Sequence, residues 1–293
     1  MDYVLSNDHL EVGLSDFGAA MTSIKDKDGM EYLWQGDATY WSGQAPILFP
    51  FCGSIRNDTA QTESGESISL PRHGMVRKRE FACDGIFGNQ AVFSTDFSER
   101  TLAVYPYEFK LTIKYKLDLN RIRTTFVVEN RDVKDMPYLV GGHPGFRCPR
   151  EEGETYEDYY VAFDEEETCD VPTPVTETGL IDMEHRTPFL NNTRFLGLSH
   201  ELFARDAVIL DKLKSRSVTL CSYKNQRRVK VDFEGFPYLI LWSSANSGPF
   251  VALEPWLGLS TCSDEDDVFE HKRNCQILKP GEEREHFFDI IIE

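Results

Sequence analysis

Four short stretches set ionisable side chains beside glycine, proline and aromatic rings. They are Phe49-Pro50-Phe51-Cys52-Gly53-Ser54-Ile55-Arg56-Asn57, Arg72-His73-Gly74-Met75-Val76-Arg77, Gly141-Gly142-His143-Pro144-Gly145-Phe146 and Leu253-Glu254-Pro255-Trp256-Leu257-Gly258. Glycine next to a functional side chain lets backbone or ligand approach closely. Glu254 follows the apolar run Phe250-Val251-Ala252-Leu253, where a carboxylate is costly unless it is paired, set in a cleft or functional. A histidine can give or take a proton near neutral pH, so His73 and His143 are each candidates for acid–base work. Trp256 offers an apolar face of the kind on which the C–H groups of a sugar ring stack. Each residue also has a plainer role open to it. A loop histidine beside glycine often serves only to hydrogen-bond its surroundings, Arg56 fits a surface position or the partner of a buried carboxylate, and Trp242 and Trp256 fit a core or a cleft wall.

Other chemistries find no footing. The chain has no G-x-S-x-G elbow, no phosphate-binding P-loop and no G-x-G-x-x-G after a strand. No two histidines stand at a metal-like local spacing, and His185 and His200 lie in polar stretches. The seven cysteines are scattered and odd in number, with no C-x-x-C pair, which reads as reduced thiols rather than disulfides or zinc ligands. Cys52, Cys83 and Cys221 sit among apolar neighbours and are expected to be small buried residues. Neither a metal nor a cofactor is expected.

The elements that must position these residues are strands. Period-two alternation runs through the chain, broken every ten residues or so by turn chemistry. Tyr3 to Leu5 and Leu10 to Leu14 read as an opening hairpin around Asn7-Asp8. Met21 to Lys25 and Tyr32 to Trp34 bracket Asp28-Gly29. The clearest pair is Phe109 to Leu117 with Ile122 to Glu129. Val218 to Tyr223, Arg228 to Phe233, Tyr238 to Trp242 and Phe250 to Leu253 follow, and Gln276 to Leu278 and Phe287 to Ile292 are expected to close on Pro280-Gly281. A single short helix is expected over Ser199 to Ala204. Glu151 to Asp158, Asp182 to Asn192, the run Glu165-Glu166-Glu167 and the cluster Asp264-Glu265-Asp266-Asp267 read as loops. With no internal repeat or linker, the pattern implies one all-β domain over residues 1–293, a sandwich or barrel.

Bulk properties narrow the partners. Hydrophobic residues make up 41% of 293, enough for a large core. Lys and Arg number 31 against 49 Asp and Glu, a net charge of -18, which argues against nucleic-acid or anionic-membrane partners. The amino-terminal residues show neither a basic nor an apolar leader pattern, and no apolar run approaches the ~20 residues needed to span a bilayer. A cytoplasmic protein, monomer or homodimer, is the expectation.

Taken together and in this order, the four stretches resemble the aldose 1-epimerase (galactose mutarotase) family, and most closely its shorter bacterial branch, the LacX-like proteins. The resemblance begins at Leu5-Ser6-Asn7 and Gly18-Ala19, passes through Trp34-Gln35-Gly36 and Pro46-Ile47-Leu48-Phe49-Pro50, and ends near Pro280-Gly281. It implies a large antiparallel β-sandwich, the galactose mutarotase-like supersandwich, with an open cleft on one face. It also implies roles: Glu254 as catalytic base, His143 as general acid, His73 and Arg56 as substrate-positioning residues, and Asp206 as the substrate-binding aspartate, with Asp211 the fallback. The implied activity is interconversion of the α and β anomers of a free aldose, an aldohexose, without a cofactor. The chain is shorter than the galactose mutarotases and carries His-Pro-Gly-Phe where they often differ after the proline, so galactose specificity is not carried over. Two rivals stand beside this reading. One is a mutarotase for a hexose 6-phosphate, for which Arg72, Arg77, Lys78 and Arg79 form a possible basic cluster. The other is a non-catalytic sugar sensor on the same fold.

Overall fold

The computed structural model describes residues 1–293. Its largest sheet has nine antiparallel strands in the order Leu180–Gly197, Tyr159–Val175, Ser217–Ser222, Val229–Asp232, Glu283–Ile292, Arg121–Asn130, Phe109–Asp118, Gln90–Asp96 and Ala82–Phe87. Alternation decides which side faces in. Phe109, Leu111, Ile113, Tyr115 and Leu117 are buried, whereas the residues between them are half-buried or exposed. A second sheet runs Val208–Leu210, Tyr238–Trp242, Phe250–Trp256, Gly141–Gly142 and Ile47–Leu48, with Gly145–Arg147 also paired to Phe250–Trp256. Leu239, Leu241, Val251 and Leu253 of this sheet join the inner strands of the first in a single core of 64 buried residues. The architecture is the expected antiparallel sandwich.

What matters for function is the other face of the second sheet. The register sets Ile240 opposite Glu254 and Tyr238 opposite Trp256, so Glu254 and Trp256, two residues apart, point away from the main core. A second, smaller apolar cluster forms there from Leu48, Cys52, Ile209, Ile240, Trp256 and their neighbours. Both faces of Phe250–Trp256 are thereby covered and all seven of its residues are buried, which explains its unbroken apolar run.

Several sequence expectations are corrected. Asp182 to Asn192 is not a loop but part of Leu180–Gly197, which pairs with Tyr159–Val175 in a long, repeatedly bulged hairpin. Bulges bend such a ribbon, and its far end reaches the smaller apolar cluster over the second sheet, where Ile181 packs and bridges to Cys262. Glu165-Glu166-Glu167 lies in the same hairpin. Glu167 is buried because its carboxylate accepts the backbone N–H groups of Lys214 and Ser215. Within the acidic cluster, Glu265 is buried between Lys272 and Arg273 at 3.5 and 3.0 Å. Gln276–Leu278 and Glu283–Ile292 do not pair with each other. The first joins Met136–Tyr138 and the second joins the large sheet. Of Tyr32 to Trp34 only Leu33 pairs, in an isolated bridge to Phe146, Cys83 is half-buried rather than buried, and Ala82–Phe87 and Gln90–Asp96 are strands beyond those the sequence pattern predicts. The short helix is a 3-10 turn over His200–Phe203. No helix is long and apolar enough to cross a membrane.

Gly74 illustrates how tightly the loops holding the site are set. It bridges Phe49 in parallel with φ of 71°, and a Cβ there would lie 2.1 Å from the Phe49 carbonyl oxygen. Left-handed strain and backbone overlap add, so Gly74→Ala should cost about 2–5 kcal/mol. A thermal melt showing no drop in Tm would refute this.

Candidate active site

The second sheet floors a cavity of about 210 Å³. Such a volume is below the ~300–1,000 Å³ usual for drug-sized ligands, and it suits a single small ring. Glu254 and Trp256 rise from one strand and Ile240 and Trp242 from its neighbour. His143 comes in directly after Gly141–Gly142, where its backbone N–H donates to the Pro46 carbonyl at 3.1 Å. The loops before Val208–Leu210 and around Trp41 and Arg72 make the remaining walls.

At the centre, His143 Nε2 lies 3.3 Å from Glu254 Oε2, and Glu254 is only 1% exposed. Neither Glu254 Oε2 nor His143 Nδ1 has a hydrogen-bond partner in the protein, nor does Trp256 Nε1. Buried polar atoms are nearly always satisfied, so a cluster of unsatisfied ones lining one cavity marks where a polar ligand belongs. The His143 ring is held by aromatic surfaces. Trp41 stacks on it at 4.8 Å, and His73 and Trp242 each present an edge at 5.5 Å.

Burial dominates the electrostatics. Loss of water pushes the Glu254 carboxyl well above the usual carboxylate range, opposed by the Arg72 charge and reinforced by Asp206. The same desolvation, helped by Arg72 and Arg77, lowers the His143 imidazole to about 3. Both shifts favour the neutral forms, so the pair holds one proton, as a carboxyl beside a neutral imidazole. His73 is also held well below 6.5, chiefly by burial and then by His143. Its tautomer follows from its partner. Gly53 N–H donates to His73 Nδ1 at 3.1 Å, so the proton sits on Nε2. The Gly53 carbonyl accepts from His73 N–H in return, at 2.6 Å, and fixes a backbone with φ of 70°.

Of the residues singled out in the sequence, Glu254, His143, His73, Asp206 and Trp256 line this cavity. Arg56 does not. After it the chain turns through left-handed Asn57 and Asp58, and its guanidinium donates to Asp267 at 2.9 Å and to the Glu265 carbonyl at 3.3 Å. The cations on the cavity are Arg72 and Arg77 instead, with Arg72 paired to Asp206 at 3.1 Å. Asp211 is likewise elsewhere, paired to Arg186 at 2.7 Å. Arg79 reaches the Asp96 carbonyl and Ser98, not the cavity. Trp41 was missed. Its setting in Tyr40-Trp41-Ser42-Gly43, an aromatic beside glycine in a loop, carries the same signal that drew attention to the other stretches.

The chain is similar to known proteins over its whole length. A sequence model described as aldose 1-epimerase matches residues 1–290. The chain is 48% identical over 297 residues to the chromosomal LacX protein of Lactococcus lactis subsp. lactis, covering 100% of this chain and 99% of that one. Among solved structures, a galactose mutarotase related enzyme from Lactobacillus acidophilus superposes with a TM-score of 0.93 at 31% identity, over 100% of this chain and 97% of the other. A galactose mutarotase-like protein from Lactobacillus casei gives 0.88 at 25% identity, covering 100% of both chains.

Proposed function

Because the chain belongs to the aldose 1-epimerase family, we propose that it is a mutarotase acting on a single-ring aldose with a free anomeric centre. The observation that carries the reading is the buried Glu254–His143 contact at 3.3 Å, with Glu254 Oε2 and His143 Nδ1 left without protein partners at the cavity floor. Opening a hemiacetal needs a proton removed from the C1 hydroxyl and one delivered to the ring oxygen. Both oxygens are bonded to C1, so acid and base must be near neighbours, as these two are.

The proton count closes on this pair. With the ring closed and the proton on His143, ionised Glu254 takes the O1 proton, the C1–O5 bond breaks, C1=O1 forms, and His143 protonates O5. The open aldehyde then faces a neutral carboxyl and a neutral imidazole, the forms that burial favours. After rotation about C1–C2, His143 takes back the O5 proton as O5 attacks the other face of C1, and Glu254 returns its proton to O1. Pair and sugar together keep their protons through the cycle, and acid and base exchange roles at each step. Arg72 lowers the Glu254 pKa, which assists the ionised microstate. His73, Asp206 and Trp256 line the same cavity; in this reading the first two hold hydroxyls and the Trp256 ring covers one apolar face of the sugar.

A non-catalytic sensor would have no use for this buried pair, and a polar group kept in an apolar site without partners is a cost to folding. The direct test follows the optical rotation of freshly dissolved α-D-glucose and α-D-galactose, with and without protein. Faster relaxation to the anomeric equilibrium supports the reading, and no acceleration on these or on anionic hexoses removes it.

A pH profile follows from the same electrostatics. The pair gains its second proton only near the lowered His143 value of about 3, and loses its only proton only as pH climbs to the raised Glu254 value. From about pH 5 up to the raised Glu254 value kcat/KM should therefore be flat once spontaneous mutarotation is subtracted. An inflection near the ordinary histidine value of ~6.5 would show that His143 titrates as an open imidazole and would reject the one-proton pair.

A further inference from the structure

We infer that Trp41 is a positioning residue for His143: its indole, seated where Gly43 and Gly145 carry no side chain, holds the imidazole against Glu254 and keeps water from its face. The inference rests on the mutarotase reading for why a fixed His143 matters, and on packing alone for what fixes it. A histidine that moves protons is ordinarily oriented by a hydrogen bond to its second ring nitrogen. His143 has none. Its Nε2 faces Glu254 Oε2 at 3.3 Å, and its buried Nδ1 has no partner in the protein. Only neighbouring rings are left to set its rotation. His73 and Trp242 meet it edge-on, at interplanar angles of 82° and 80°. Trp41 lies nearly parallel to it, at 28° and 4.8 Å, and so covers a face.

Trp41 is itself held. Its backbone N–H donates to the Asp37 carbonyl at 2.9 Å, and its own carbonyl accepts from Trp34 Nε1 at 2.7 Å. Phe250 and Trp242 pack on the ring at 5.4 and 5.3 Å. A Cβ on Gly43 would lie 2.5 Å from the indole Cζ2, and one on Gly145 would lie 2.8 Å from Cζ3, so a side chain at either position displaces the ring. The glycine of His-Pro-Gly-Phe thus clears room for the residue that steadies the histidine two positions before it. The indole is also a partition. Beyond the catalytic cavity lies a second one of about 320 Å³; Trp41 lines both, and His143 lines only the first. Without the indole the two cavities join and the imidazole is wetted, which relieves the desolvation that holds it at about 3.

Imidazole NMR against pH reads this on the whole protein without a sugar, the His143 signal being the one lost in His143→Gln. In the wild type that signal should stay neutral through ~6.5, the ordinary histidine value. In Trp41→Leu its midpoint should rise toward that value, and Trp41→Phe, which keeps an aromatic face, should restore the wild-type behaviour. The titratable and charged groups around it are His73, Arg72, Arg77, Asp206 and Glu254 on the catalytic cavity and Lys78 on the outer one. All are unchanged in these variants, so the shift reports the indole. On a sugar that the wild type mutarotates, Trp41→Leu should lower kcat by about 10–100-fold, the scale for a catalytic group misplaced by about an ångström, with KM within a few-fold. Gly145→Ala pushes the ring aside without deleting it, and serves if Trp41→Leu does not fold. It should raise the His143 midpoint when Trp41 is present and add almost nothing in the Trp41→Leu background. A purely structural indole would lower Tm and leave the His143 titration where it was. That result overturns the proposal, as does equal disturbance by Gly145→Ala with and without Trp41, or a Trp41→Phe protein that behaves as Trp41→Leu. If the wild type accelerates no sugar, the mutarotase reading falls and the titrations still decide what Trp41 does.

Discussion

Glu254→Gln will slow mutarotation by about 10²–10⁴-fold, the range for loss of one positioned proton transfer, while sugar affinity changes by only a few-fold. Glutamine has the same shape and stays polar, so the cavity keeps its form and loses only the group that takes the O1 proton. The same variant should be more stable than the wild type at neutral pH. The folded protein holds the Glu254 carboxyl above the usual carboxylate range because it is buried. Unfolding lets it ionise at any pH above the unperturbed value, which favours the unfolded state. Glutamine removes that term. The gain should be about 0.5–2 kcal/mol, as is common where a functional group is held at the expense of stability. It should shrink to nothing as pH falls below the ordinary glutamate value, where both states are protonated. Melting curves at pH 7 and pH 4, alongside polarimetry, check both halves. Near-normal turnover in Glu254→Gln would remove Glu254 from the chemistry, and a stability gap independent of pH would remove the buried neutral carboxyl.

His143→Gln should lower kcat by a similar ~10²–10⁴-fold, and the double variant with Glu254→Gln should be slower than either single one by no more than a few-fold. The two residues pass one proton around a closed cycle, so removing either breaks the whole relay, and groups that act as a unit lose their effects non-additively. Trp41 stacks on the imidazole and the His143 N–H is anchored to Pro46, so the site should otherwise hold its shape. Independent, multiplicative losses would mean that acid and base act on separate events. That outcome would reject the shared-proton mechanism while leaving each residue a catalytic part.

The inner strands were legible because their burial pattern is simple. In Phe109–Asp118 and Arg121–Asn130 buried and less buried residues alternate or run together as a local sequence pattern predicts, and the partners lie within a tight turn. Leu180–Gly197 was not legible. It is an edge strand, rich in polar residues, with Pro188 within it, and proline is tolerated at an edge because no ladder bond is lost there. Nothing local distinguishes such a strand from a loop. Its identity comes from the bulged partner beside it and from Ile181, which it delivers to the other sheet.

The site divides along the same line. Glu254 could be found from sequence because a carboxylate after four apolar residues contradicts its surroundings, and His143 and His73 because glycine frees the backbone around them. The sequence by itself thus determined the chemistry available: one carboxyl, two imidazoles, an aromatic wall, and strands to carry them. Which arginine faces the sugar was decided only in three dimensions. Arg56, Arg72 and Arg77 differ little as residues in a string, but left-handed turns aim the first at Asp267, while the next two flank His73 and Gly74 on a loop pinned to Gly53 and Phe49. Likewise, only the register that sets Glu254 on the outer face and His143 at the end of the adjoining strand brings them to 3.3 Å. Burial then moves their proton affinities, because desolvation depends on what the rest of the chain packs around a group and not on its neighbours in sequence.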